Sequence, residues 1–327
     1  MQVTINEADR LLRKHYETSP QLFDGEFYLV LGSSLFYLSQ LTNRGPEEEE
    51  AFIDEAISRL KSALDLCSSE HVNEIQLALC KALYHKVGLM MQSAGQAPED
   101  ESQSIIDSAS IIMNSAGAYM EAIFVNIFKG KVSDSGKFFD PTQESIDVLG
   151  HAQLLADSET TWSSFKDRNK WCQELYRMAL DYKDASVQVN ANLGVAACYI
   201  SLSNYYFDNA PQDDSDSDSD SEDANQTCLI AEMNPSVVKD QLTRACEHIS
   251  VAIDSLGSSS VETKARAYQM QGEAHLNLGN LSSDEAEELK FYRTAVKAFQ
   301  ITKELQPQGL LPDSFESFLE EWACNIE

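Results

Sequence analysis

Residues 27–38 read FYLVLGSSLFYL, and within them Tyr28, Leu31, Gly32 and Leu35 follow a Tyr-x2-Leu-Gly-x2-Leu spacing. That spacing is close to the W-x2-L-G-x2-Y pattern of the first helix of a tetratricopeptide repeat. A small residue is needed where two helix backbones approach, and the aromatic and leucine side chains fill the space around the crossing. The spacing recurs as Gln76, Leu79, Cys80, Leu83; as Ile146, Leu149, Gly150, Gln153; as Asn190, Leu193, Gly194, Ala197; and as Tyr268, Gln271, Gly272, His275. Each copy keeps a small residue at the glycine position.

Second helices answer four of the copies: Ala56, Leu60, Ala63; Ala109, Met113, Ala116; Ala245, Ile249, Ala252; and Ala295, Phe299, Thr302 with Pro307. The third partner is less regular, and its apolar stripe is read as Trp171, Leu175, Met178 and Tyr182. Pro46, Pro98, Pro211 and Pro235 fall between paired helices, and Pro141 with Thr142 marks the start of the third pair. A helix over roughly residues 3–17 and a final one through Phe315, Phe318, Leu319 and Trp322, capped by Asp313 or Ser314, shield the open ends. The expectation is an all-α, irregular tetratricopeptide-like helical-repeat solenoid of about five helix pairs with flanking capping helices, forming a single domain over 1–327. It is irregular because 21 positions separate Leu35 from Ala56 and 48 separate Ala197 from Ala245. Both spacings exceed what a 34-residue repeat allows.

One connector differs in kind. Residues 209–225 read NAPQDDSDSDSDSEDAN, with no apolar side chain between Pro211 and Ala224 to offset the entropy of ordering. It is expected to be a disordered acidic insertion. Ser215, Ser217, Ser219 and Ser221 precede acidic residues and are phosphorylation candidates for an acidophilic kinase; the alternative is a solvated acidic spacer.

The chain carries 24 Lys and Arg against 53 Asp and Glu, a net charge of −29. Setting aside the runs Glu47–Glu50 and Asp213–Asp223 still leaves 24 basic against 42 acidic residues, so acidity is spread over the whole body. Such a surface repels nucleic-acid phosphates and anionic lipids and favours a basic protein partner. The most apolar stretch, Ile111–Phe128, is interrupted by Asn114, Glu121 and Asn126, so it reads as a buried helix, not a membrane span. Seven scattered cysteines and an opening stretch with no apolar signal region point to a reduced, intracellular setting.

No P-loop, GxGxxG, GxSxG or HExxH pattern occurs. Cys67, His71, Cys80 and His85 approach a zinc set, but their spacing matches no structural zinc module and Cys80 occupies a helix crossing. His275 reads as a core histidine, Trp171 and Trp322 as core, and Trp162 as less constrained. No catalytic, cofactor or metal residue is assigned, and the protein is expected not to be an enzyme. First helices of such stacks line a concave groove, which makes Glu26, Ser33, Tyr37, Gln188, Tyr199, Arg266, Gln269, Glu273 and Asn277 the protein-binding candidates. These residue types do not form a clamp for a C-terminal carboxylate.

The segment 27–38, the acidic insertion, the degenerate pairs and the Trp322 end together resemble the fungal enhancer-of-translation-termination family. Its fission-yeast relatives are negative regulators of a prolyl-hydroxylase-like 2-oxoglutarate dioxygenase. The resemblance implies a non-enzymatic adapter of nucleus and cytoplasm that binds such a dioxygenase and links it to oxygen-dependent gene regulation or translation termination. It also implies a basic nuclear-targeting arm, where this chain has only Arg10, Arg13 and Lys14 as an early basic cluster. The alternatives are a generic co-chaperone or assembly adapter and, from another class, an enzyme with an unfamiliar helical active site.

Overall fold

The computed structural model describes residues 10, 14, 24–41, 46–67, 71–130, 141–159, 161–209, 229, 232–257, 259–306 and 311–322. Among them are eleven α-helices and no strand. In order they are α1 (Gly25–Leu41), α2 (Pro46–Leu66), α3 (Val72–Ala94), α4 (Glu99–Phe124), α5 (Pro141–Ala156), α6 (Trp162–Ala179), α7 (Ala185–Asn209), α8 (Pro235–Asp254), α9 (Val261–Asn280), α10 (Glu285–Leu305) and α11 (Asp313–Trp322). A π-helical turn, Val125–Lys129, extends α4. The all-α repeat architecture is as the spacing leads one to expect. The expected first helix over 3–17 lies outside the described residues apart from Arg10 and Lys14, and the acidic insertion with its four serines lies outside them apart from Asn209, the last residue of α7.

The helix starts are written in short polar side chains. Asp24 Oδ1 accepts from the Phe27 amide at 2.9 Å, and Asp184 Oδ1 accepts from Ser186 and Val187 at 2.7 and 3.2 Å. Asn234 Oδ1 accepts from Ser236 and Val237, Ser260 Oγ from Thr263, and Asp284 Oδ1 from Glu287. Each bond satisfies an amide left over in the first helical turn. Pro46, Pro141 and Pro235 sit at first helical positions, where a missing N–H costs nothing. At α11 the acceptor is the Pro312 carbonyl, which takes the Phe315 and Glu316 amides, so Asp313 belongs to the first turn instead of capping it.

Contacts group the chain into two compact units, residues 1–148 and 149–327. In the first, α1 packs on α2 and α3 on α4. A Cβ on Gly32 would lie 2.7 Å from Leu60 Cγ, and the Cys80 thiol donates to the Ala116 carbonyl at 3.4 Å, so both small residues occupy the crossings assigned to them. The Ile111–Phe128 stretch departs from expectation. Its inner residues Met113, Ala116, Met120 and Ile123 are buried, but Ile111 is 69% and Val125 46% exposed.

In the second unit α6 packs on α7, α7 on α8, and α9 on α10. Gly272 meets the Phe299 ring, 2.4 Å from an added Cβ, again as the spacing requires. Gly194 does not meet the helix expected. Its near neighbour is the Tyr176 ring of the preceding helix α6, 2.3 Å from an added Cβ, whereas Gly150 has nothing closer than the Tyr176 hydroxyl at 3.8 Å. Tyr176 therefore sets the rotation of α6, and its buried residues are Trp162, Phe165, Asn169, Cys172, Gln173, Leu175, Tyr176 and Ala179; of the expected stripe Leu175 is core, whereas Trp171, Met178 and Tyr182 are only half-buried. Trp162 is core, with Nε1 donating to Glu232 Oε2 at 3.1 Å, and Phe165 stacks on Tyr205 with ring centroids 4.4 Å apart. The chain closes on α11, where Phe315 stacks on Phe299 at 4.8 Å and Trp322 lies on Tyr292 at 4.7 Å, covering the outer side of α10.

Candidate functional site

The first helices of the second unit place polar side chains together at one point. Asp157 follows the end of α5, Ser201 and Asn204 lie on α7, and Glu273 and Asn277 lie on α9. Asn277 Nδ2 donates to Asn204 Oδ1 at 3.0 Å, and Asn204 Nδ2 donates onward to Glu273 Oε1 at 2.8 Å. The two amides thus form a chain that ends on a carboxylate, fixing its orientation. Asp157 lies near them and is exposed, yet partial loss of hydration at its carboxyl and then the nearby Glu273 charge push its pKa up to about 6, against a Ser201 hydroxyl that favours the ionised form. Glu273 is raised as well, chiefly by lost hydration, although the Asn204 bond acts against it. Among the described residues no Lys or Arg contributes to holding either carboxylate ionised. Two carboxylates thus lie near one another, Glu273 held by the Asn204 amide and Asp157 by the Ser201 hydroxyl.

The sequence-derived candidates separate accordingly. Glu273 and Asn277 belong to this cluster, and Arg266 and Gln269, one exposed and one half-buried, lie nearer the start of the same helix. Gln188, half-buried, is near the start of α7, where its carbonyl accepts from Asn192 Nδ2 at 2.9 Å. Tyr199 turns to the other side of α7. It is 4% exposed, its hydroxyl accepts from Arg177 Nη2 of α6 at 2.8 Å, and its ring stacks on His248 of α8. His248 Nδ1 is in turn 2.8 Å from Asn192 Oδ1.

In the first unit, Glu26 lies 3.3 Å from His71 Nε2, and His71 Nδ1 is 2.8 Å from the fully buried Glu74. Ser33 Oγ is shut off from water with no hydrogen-bond partner among the described residues, and Tyr37 is 48% exposed. The residues of the near-zinc pattern go separate ways: His71 to Glu74, Cys80 to Ala116, and His85 to Glu49 at 2.9 Å. No three metal-ligating side chains converge among the described residues. His275 is a packed histidine, its Nδ1 at 2.9 Å from the Gln271 carbonyl, and burial lowers its pKa.

Asp157, Ser201 and Asn204 were not among the sequence candidates. A signal was present: Asp157 stands seven residues after Gly150 and Ser201 seven after Gly194, two helical turns along the same face. The sequence candidates all lie within six residues of a repeat glycine, just short of those two turns.

No protein-family model matches the chain, and no curated protein matches it. Solved structures do. Three solved structures of the nuclear import adaptor Nro1, two of them given as the S. pombe protein, align with 98% of this chain and 84–89% of their own length. Their TM-scores are 0.53, 0.56 and 0.55, at 20, 20 and 19% identity. One of these structures describes Nro1 as the hypoxic regulator of sterol synthesis. At this identity the likeness establishes the fold.

Proposed function

We propose that this protein is a regulatory, non-enzymatic adapter that binds proteins and acts in oxygen-linked regulation, with nuclear import as the route by which it acts. The observation that carries the reading is an all-helical fold shared over 98% of the chain with a nuclear import adaptor. The finer reading is that the partner is a prolyl-hydroxylase-like 2-oxoglutarate dioxygenase, that the complex passes between cytoplasm and nucleus, and that translation termination is one process it influences.

Binding is assigned to the first-helix faces of each unit. Glu26 and Tyr37 serve the first unit, while Ser33, its hydroxyl shut off from water, presents no polar atom to a partner. Gln188, Arg266, Gln269, Glu273 and Asn277 serve the second, with Tyr199 supporting α7 from behind. The cluster of Asp157, Asn204, Glu273 and Asn277 receives a Lys or Arg of the partner. Phosphorylation of Ser215, Ser217, Ser219 and Ser221 would add about −1.5 to −2 charges per site and strengthen the same preference.

Affinity purification from the native host, with and without oxygen, tests the reading. Recovery of a 2-oxoglutarate dioxygenase together with import factors is the expected result. Recovery of chaperones alone would move the assignment to a co-chaperone.

A further inference from the structure

On the side of α7 turned away from the Asp157–Glu273 cluster, three successive helices bring donors to one phenol. Arg177 of α6 gives Nη2 to the Tyr199 hydroxyl at 2.8 Å. Arg244 of α8 bonds the same hydroxyl, while its Nε holds Asp240 at 3.0 Å. His248, one turn after Arg244, lies over the Tyr199 ring with centroids 6.1 Å apart. Tyr199 is buried, whereas both arginines are exposed, so the phenol is fixed and the guanidinium groups reach water around it.

A phenol oxygen has one proton to give and lone pairs to receive. With two guanidinium groups on its lone pairs, the Tyr199 O–H is left to donate, and the three side chains together present only donors. Among the described residues Arg177 has no carboxylate partner. Its charge is felt nearby: burial first and then Arg177 lower the pKa of His248, and Arg177 outweighs the opposing Glu247 of the same helix. At His248 the local field is therefore positive, in a chain of net charge −29.

Converging donors around an unpaired guanidinium fit a carboxylate, which can take two parallel bonds from arginine. Asp240 already answers Arg244, and the single positive charge left over suits a monoanion better than a phosphoryl group of nearly twice the charge. Exposed guanidinium groups hold a small free ion weakly, because water and salt compete. A carboxylate presented by a protein surface brings further contacts, and Val251, 52% exposed one turn beyond His248, offers apolar area for one.

We propose that Arg177, Tyr199 and Arg244 form a receptor for an Asp or Glu side chain of a partner protein, with Val251 at its edge. The receptor does not depend on the acidic cluster, so failure of either leaves the other standing. The test follows the His248 ring protons by NMR across pH in the full chain, at constant ionic strength. Facing that ring are Arg177 from α6, Tyr199 and Asn192 from α7 and Glu247 on its own helix. The probes are a blocked peptide with a single Glu among Ser, Gly and Leu, the same peptide with Gln, sodium acetate and inorganic phosphate.

A carboxylate seated beside Arg177 cancels the charge that depresses His248. The Glu peptide should therefore raise the pKa of this histidine in a saturable way, and the Gln peptide should not. Arg177→Gln should raise it in the free protein and, like Tyr199→Phe, weaken the Glu peptide about tenfold. Arg293→Gln, which removes an equal charge from an exposed position of α10, should leave binding unchanged. Circular dichroism checks the variants, and Arg244→Gln replaces Tyr199→Phe if that buried change disturbs the fold. No response to the Glu peptide, an equal response to the Gln peptide or an equal loss in Arg293→Gln overturns the proposal. So does acetate or phosphate binding as tightly as the Glu peptide, which would assign the site to a free anion.

Discussion

Gly150 and Gly194 hold the same place in the repeat spacing and face opposite demands. An added methyl on Gly194 would enter the ring of Tyr176, a fully buried side chain with no room to retreat. An added methyl on Gly150 meets nothing closer than 3.8 Å. Gly194→Ala should therefore lower stability by about 1–3 kcal/mol, as overpacked cores do. Gly150→Ala should raise it by about 0.5–1 kcal/mol, because alanine loses less backbone entropy in a helix. Urea midpoints of the two variants decide the matter, and shifts of the same sign would show that Tyr176 does not occupy the gap assigned to it. Asp157 offers a second test at this scale. Its folded pKa of about 6 lies above its ordinary value of 3.8, so ionising it opposes folding, and the stability present at low pH declines as pH rises through that window. Asp157→Asn should stabilise the protein more at pH 7 than at pH 4.5, because the native carboxyl ionises between those two values. Equal gains at both pH values would mean that the carboxylate is not confined.

Single helices are held at their starts by identifiable side chains, and α8 shows this best. Asn234 satisfies two amides, and Pro235 behind it presets the first turn. Asn234→Ala should cost about 1 kcal/mol in global unfolding and speed hydrogen exchange in the first turn of α8 before that of its centre. Uniform exchange along the helix would remove the cap from the account. These starts are legible in the sequence because a cap is a local bargain between one side chain and amides two or three residues on. The apolar period and the tight crossings at Gly32, Cys80 and Gly272 are legible for a similar reason, since each small residue has one matching partner helix. The rotation of α6 is not. It is decided by whether Tyr176 or Trp171 fills the space beside α7, a comparison of shapes between helices that no spacing encodes. The cluster of Asp157, Ser201, Asn204, Glu273 and Asn277 escapes notice likewise, because three helices contribute to it and its members are up to 120 residues apart. Tyr199 shows the converse. It flanks a repeat glycine, yet it turns toward α6 and α8, because its hydroxyl meets Arg177 and its ring meets His248.

Over the whole molecule the charges do not cancel. Arg59, Lys81, Lys86, Lys166, Arg168, Lys239, Arg244 and Lys303 each pair with an acidic side chain of the chain itself. A good part of the 24 basic residues is thus already engaged, and the field left over is that of the surplus among 53 acids. Exposed pairs of this kind add little to stability, about 0–1 kcal/mol each. The surplus acts instead on association, attracting a basic partner from beyond contact distance. Such attraction is screened over about 8–10 Å at physiological ionic strength, so salt should reduce the association rate with a basic partner far more than it raises the dissociation rate. Stopped-flow measurements from low to moderate salt read both rates directly. A salt effect confined to dissociation would place the binding energy in a few buried ion pairs, such as one formed at Glu273, and an association rate indifferent to salt would remove the acidic surface from partner recognition.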